Sequence, residues 1–135
     1  MFELTKEYET GIDKIDKEHR RLFELADECY NLLKEDVCNN KYEKVKKVIN
    51  ELKDYAKFHF NEEEKLMESV RHKQIFTHKL QHDYFIEKVD AIDIDDIQSN
   101  QDQYIIDILT FIVAWIRQHI LSKDAQYVQD VEQSL

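Results

Sequence analysis

Apolar residues recur along this chain at spacings of three and four, the signature of helices that bury one face. The pattern predicts four of them. The first runs from about Ile12 to Val37, with Ile15, His19, Leu22, Ala26, Cys29 and Leu33 on one side. The second runs from about Tyr42 to Ser69, carrying Val45, Ile49, Leu52, Ala56, His59, Glu63 and Leu66. The third, roughly Lys73 to Ile92, presents Ile75, His78, His82, Phe85, Val89 and Ile92. The fourth, from about Tyr104 to Leu121, presents Ile105, Ile108, Ile112, Trp115 and His119. "VCNNKY" supplies the first turn, and the polar stretch "DIDDIQSNQDQ" is the longest loop. Short connections between long amphipathic helices predict an all-α, up-down-up-down four-helix bundle, preceded by a non-helical N-terminal arm. No internal repeat interrupts this plan, and residues 1–135 read as a single domain.

The inner stripes are not hydrocarbon throughout. His19, His59, Glu63, His78, His82 and His119 interrupt them, and these include five of the six histidines in the protein. Singly, each reads as a hydrogen-bonded core residue. Together they are too costly: an unpartnered buried polar side chain costs about 1–3 kcal/mol, against a typical total stability of about 5–15 kcal/mol. A metal would satisfy them jointly, because imidazole nitrogen is a common metal ligand and a carboxylate balances cation charge.

The spacing agrees. Residues four apart on a helix differ by about 40° in direction, so His59 with Glu63, and His78 with His82, converge on one point. His19 is early in the first helix and His59 late in the second; His78 and His82 are early in the third and His119 late in the fourth. Up-down topology therefore gathers all five histidines at one end of the bundle. Five imidazoles exceed one ordinary tetrahedral site, so two metals with Glu63 between them are expected. Asp124, in "WIRQHILSKDAQY", is the candidate for a second bridging acid. It lies five residues beyond His119, which an ideal helix would turn about 140° away. By spacing alone it reaches the site only if the helix loosens or ends around Leu121 to Lys123.

Composition narrows the setting. The chain has 135 residues, 42% apolar and 36% charged, with no proline and only Gly11 as glycine, so little breaks a helix after the first dozen residues. The formal charge of −10 argues against nucleic acid or an anionic membrane surface as a partner. No run of about 18 apolar residues predicts a membrane span, and the start "MFELTKEYET" lacks a secretory layout. Cys29 is expected to be a small buried apolar group, and Cys38 to lie near a turn. A reduced, cytoplasmic protein is expected.

At these residues the chain resembles the hemerythrin family in its single-domain bacterial form. The matching segments are "GIDKIDKEH" with His19, "HFNEEEKLM" with His59 and Glu63, "HKLQHDYF" with His78 and His82, and "WIRQHILSKD" with His119 and Asp124. The resemblance covers about Phe2 to Tyr127. It implies two non-haem iron ions joined by an oxo or hydroxo bridge and two carboxylates. Carried over by position, His78, His82 and His119 would hold a saturated iron, and His19 and His59 an iron with one open position. Glu63 and Asp124 would bridge, leaving Glu62 and Glu64 as a solvated face. The chain departs from the family pattern at Leu4, where a tryptophan is usual, and at His72 and Lys73, where a Tyr-Pro pair often stands. His72 is read as a surface or turn residue.

The activity the resemblance implies is reversible dioxygen binding, for carriage, storage or delivery, rather than an enzyme reaction. Leu22, Phe60, Trp115, Ile116 and Ile120 are the candidates for a dry wall around the bound gas. Two other readings compete: a sensing module for oxygen, redox state or nitric oxide, and a di-iron oxidase or peroxidase. Ferritin-like di-iron enzymes use paired Glu-x-x-His motifs, which this chain lacks at the site; Glu18 stands immediately before His19. With no apolar stripe read on the outer faces, a monomer is expected.

Overall fold

The computed structural model describes residues 2–35, 41–92 and 102–133. Four long helices form the bundle: α1 (Asp13–Lys34), α2 (Lys41–Ser69), α3 (Ile75–Asp90) and α4 (Asp102–His119). A π-helical turn, Ile120–Asp124, links α4 to a short α5 (Ala125–Gln133). Residues 36–40 and 93–101, where most of the two connecting loops were expected, lie outside the described residues, as does Cys38. Helix limits agree with the periodicity to within a few residues except at the fourth helix, which continues through the π turn instead of ending near Leu121.

The start of α1 and the end of α2 each have a physical cause. The arm before α1 makes one 3-10 turn, Lys6–Tyr8, and Gly11 takes φ +86°, a left-handed value that a residue with a Cβ adopts only with strain. The Asp16 carboxylate then ties the arm down. It accepts hydrogen bonds from the Thr10 amide at 2.7 Å, the Thr10 hydroxyl at 2.7 Å and the Gly11 amide at 3.1 Å. A carboxylate this near a helix start also meets the positive end of the helix dipole. At the α2–α3 turn, Arg71 takes φ +53°, and the His72 amide donates back to the Met67 carbonyl at 3.0 Å, closing a Schellman-type cap.

Burial follows the stripes. Ile15, Leu22, Ala26, Cys29, Ile49, Leu52, Ala56, Phe85, Val89, Ile105, Leu109 and Ile112 are all buried. Cys29 behaves as an inert core residue, its thiol pushed up to about 12 by burial. The run Asp102–Gln133 is long and apolar enough, by length and composition, to cross a membrane, contrary to the sequence expectation. Its apolar residues Ile105, Ile108, Leu109, Ile112, Val113 and Ile116 are buried within the bundle.

Two expectations about the outside fail. His72 is in a turn as expected but buried, its Nδ1 2.5 Å from Asp130 Oδ2 of α5. And α3 does leave an apolar stripe exposed: Phe76, Leu80 and Tyr84, one turn apart from each other.

Candidate metal centre

All seven candidate ligands are buried and meet at one end of the bundle. His59 and Glu63 come from the same face of α2, and His78 and His82 from the same face of α3, as four-residue spacing requires. His19 comes from α1 and His119 from the last turn of α4. Asp124 arrives by the device its spacing demanded. The turn from Ile120 to Asp124 is π-helical, with an i→i+5 hydrogen-bond pattern. Five residues then complete about one turn, so Asp124 returns to the face of His119.

Donor atoms form two overlapping sets. Glu63, His78, His82, His119 and Asp124 each offer one donor within 4.8 Å of the others, and so do His19, His59 and Glu63. The two carboxylates are shared in a particular way. Glu63 turns Oε1 toward His19 Nε2, at 3.5 Å, and against His59 Nε2. Its Oε2 faces His78 Nε2 at 3.6 Å and His82 Nε2 at 3.9 Å. Asp124 does the same, with Oδ2 3.3 Å from His19 Nε2 and Oδ1 3.0 Å from His78 Nε2 and 3.5 Å from His119 Nε2. Between them, the two acids face His19 and His59 with one oxygen each, and His78, His82 and His119 with the other.

The donor set suits cations. All four carboxylate oxygens of Glu63 and Asp124, and His82 Nε2, are buried without a hydrogen-bond partner, a costly state unless an ion takes their lone pairs. Two nitrogen or oxygen donors about 2.1 Å from one ion, at right angles to each other, lie about 3.0 Å apart. The 2.9 Å between His78 Nε2 and His119 Nε2 and the 3.0 Å from His78 to Asp124 match that spacing.

Acceptors behind the rings set their orientation. His59 Nδ1 donates to Glu18 Oε1 at 2.7 Å, and His82 Nδ1 to Glu64 Oε2 at 3.0 Å. A ring that gives its Nδ1 proton to a carboxylate keeps the Nε2 lone pair free and more basic. Sequence reading missed both acids. Glu64 does not stay on a solvated face, and Glu62 is itself paired to Lys14 at 2.9 Å. Glu18, at the wrong spacing to pair with the adjacent His19, has its partner on α2 instead.

The metal-free electrostatics are those of a proton-holding cluster. Burial opposes charge on His19, but the facing carboxylates of Asp124 and Glu63 outweigh it and raise its pKa to about 10. The same balance raises His78 to about 9. His119 goes the other way, lowered to about 4 chiefly by burial. The pair is consistent: His78 donates its Nε2 proton to the neutral His119. Burial would raise Glu63, but the adjoining His59 charge and the nearby rings of His19 and His78 hold it well below the usual carboxylate range.

Comparison with known proteins follows the same lines. Residues 10–131 match the family model described as Hemerythrin, the hemerythrin HHE cation binding domain. The chain is 52% identical over 128 residues to a bacteriohemerythrin of Clostridium acetobutylicum, covering 95% of this chain and 99% of that one. It is 34% identical to bacteriohemerythrins of Pseudomonas paraeruginosa and Stenotrophomonas maltophilia, covering 93% of this chain and 78% of each. This chain belongs to the hemerythrin family.

Within this hemerythrin fold, the candidate wall divides. Phe60 stacks on His82, centroids 4.0 Å apart, and Trp115 stacks on His119 at 4.5 Å. Both aromatics thus lie flat on the three-histidine side, although the Phe60 ring also lies near His59, tilted by 46° with centroids 5.9 Å apart. That placement corrects the expectation that they flank the two-histidine side. Leu22, Ile116 and Ile120 are buried aliphatics. Tyr127, which sequence reading passed over, is fully buried, three residues after Asp124 and one turn along the same face. Its phenol has no hydrogen-bond partner, and burial followed by the charges of Glu63 and Asp124 pushes its pKa far above the ordinary range, so it stays protonated.

Proposed function

We propose that this protein binds dioxygen reversibly at two non-haem irons held by His19, His59, Glu63, His78, His82, His119 and Asp124. The observation that carries the reading is the division of the two carboxylates: taken together, one oxygen of each faces His19 and His59, and the other oxygen of each faces His78, His82 and His119. Two ions held by these residues would have unequal numbers of histidines, and the ion on the His19 and His59 side would have room for a diatomic ligand. The names of the relatives, bacteriohemerythrins, support the same class.

Iron, when bound, would supply the electrons and the vacant position that dioxygen requires. The chain's own residues do the rest. Glu18 and Glu64 hold the His59 and His82 tautomers so that Nε2 faces inward. Glu63 and Asp124 offset cation charge in a site closed to water. Phe60 and Trp115 fix the rings of His82 and His119 by stacking. Leu22, Ile116 and Ile120 supply aliphatic surface with no proton to give, which favours release of the gas unchanged over its reduction. The buried cluster offers few acids besides the bridging pair and the tightly held phenol of Tyr127, which suits binding rather than turnover.

Anaerobic loading with ferrous iron tests this. Two irons per chain, with an optical band that appears on admitting oxygen and fades on removing it, is the expected result. One iron or none would remove the two-ion assignment. A band that decays irreversibly, faster with a reductant or an organic substrate present, would move the protein to the oxidase or peroxidase class.

A further inference from the structure

The π turn that delivers Asp124 is a register that the segment after it must hold. A π turn takes in one residue more than an α turn, and such turns are rare within α-helices. Closing this one to α geometry would rotate everything after it by about 100°. Asp124 would leave the face of His119, and all of α5 would turn with it. One end of the segment is fixed, because His119 is buried in the core. The other end is fixed only as well as α5 is seated.

Two contacts seat it. Among the described residues of α5, Tyr127 alone is buried. Asp130 lies three residues further along the same face, and its Oδ2 accepts a hydrogen bond from His72 Nδ1 at 2.5 Å. His72 is a firm anchor, only 5% exposed in the turn between α2 and α3. Its amide donates to the Met67 carbonyl at 3.0 Å, and its carbonyl accepts from the Ile75 amide at 3.3 Å. Its Nε2 is buried without a partner, so Asp130 supplies the hydrogen bond that orients the ring. The rings of His72 and Tyr127 meet edge to face, centroids 6.3 Å apart, and Tyr127 lies 5.6 Å from the His78 ring. A 100° rotation of α5 would break these contacts together.

We infer that His72 and Asp130 are positioning residues for the metal centre. Their hydrogen bond locks the register of α5, which keeps the π turn open and Asp124 on the face of His119. Neither residue is a candidate ligand. Their effect on metal rests on the reading of Asp124 as a ligand under the proposed function; their effect on the π turn does not.

Amide hydrogen exchange on the full chain, loaded with iron and again after its removal, is the test, together with iron retention against a chelator. Asp130→Ala should speed exchange in residues 120–133 by at least about 10-fold in the iron-free form, and leave α1 unchanged. It should also weaken iron retention by about 10- to 100-fold, the range for groups that orient a ligand. His72→Ala should do the same, and the double variant no more than either single one, because both remove one bond. Asp130→Asn keeps an acceptor oxygen and should restore most of both properties. Glu132→Ala removes an equal charge from an exposed position of α5 and should change neither. Unchanged exchange in Asp130→Ala overturns the inference. So does an equal loosening of α1, an additive loss in the double variant, or no recovery in Asp130→Asn. An unaltered chain that retains no iron would defeat the two-ion reading instead, and the exchange comparison would still decide the role of His72 and Asp130.

Discussion

Three consecutive glutamates in α2 meet three different fates, because each helical residue turns the side chain by about 100°. Glu62 pairs with Lys14 near the surface. Glu63 enters the core between two groups of histidines. Glu64 swings to the other flank and takes the Nδ1 proton of His82. Only the middle one is a candidate ligand, yet Glu64 governs how a ligand ring is presented. Removing an acceptor of this kind typically lowers metal affinity by about 10- to 100-fold. Glu64→Ala should therefore weaken iron retention by that factor in a chelator competition, whereas Glu62→Ala should leave it nearly unchanged. Equal retention in both variants would show that His82 needs no acceptor behind it.

At the scale of elements, the four helices and their inner faces were legible because amphipathic periodicity is a local property. What escaped the sequence was set by partners elsewhere in the chain. Glu18 belongs to His59, 41 residues away, and Glu64 to His82, 18 residues away; neither spacing leaves a local mark. The π turn was half legible. The five-residue interval from His119 to Asp124 demanded a loosened helix, but residue types alone could not say that it would widen into a π turn and continue as α5. Phe76, Leu80 and Tyr84 did leave a periodic signal, overlooked beside the inner stripe of the same helix. The α2–α3 turn carries an element-level cost of its own. Arg71 holds the left-handed position of the cap, where a Cβ crowds the following carbonyl. Arg71→Gly should raise stability by about 0.5–1 kcal/mol, less than the relief of strain alone because glycine loosens the unfolded chain. A thermal melt of the iron-loaded protein checks it, with an increase of roughly 2–4 °C expected; a lower midpoint would mean the arginine side chain contributes contacts that outweigh its backbone strain.

At the scale of the whole molecule, metal and protons compete for the same buried groups, and the sign of that competition follows from the raised histidines. His19 and His78 titrate near 10 and 9 in the iron-free fold, against about 6.5 in an unfolded chain. Their pairing with Glu63 and Asp124 therefore stabilises the iron-free protein fully below about pH 6.5, and this stabilisation is lost as pH rises through 9 and 10. His119, lowered to about 4, opposes it only on the acid side, where protonation of a ring kept neutral by burial costs stability as pH falls below about 6.5. Glu63, held low, contributes above its ordinary range and loses that contribution as acid protonates it. The iron-free bundle should thus be most stable near neutrality and weaken toward alkaline pH. Ligation demands neutral rings, so loading iron at pH 7 must expel the protons of His19 and His78, and that of His59, whose pKa is likewise raised by Glu63 and Glu18 against the opposing effect of burial. We expect about two to three protons released per chain at pH 7, measured with an indicator dye or by calorimetry in buffers of different ionisation enthalpy. The apparent iron affinity should rise with pH up to about 9 and level off near 10. The gap in melting temperature between loaded and iron-free protein should widen over the same interval, since one form gains where the other loses. A proton release near zero at pH 7 would mean that these histidines are already neutral, and that the carboxylates face them without sharing a proton.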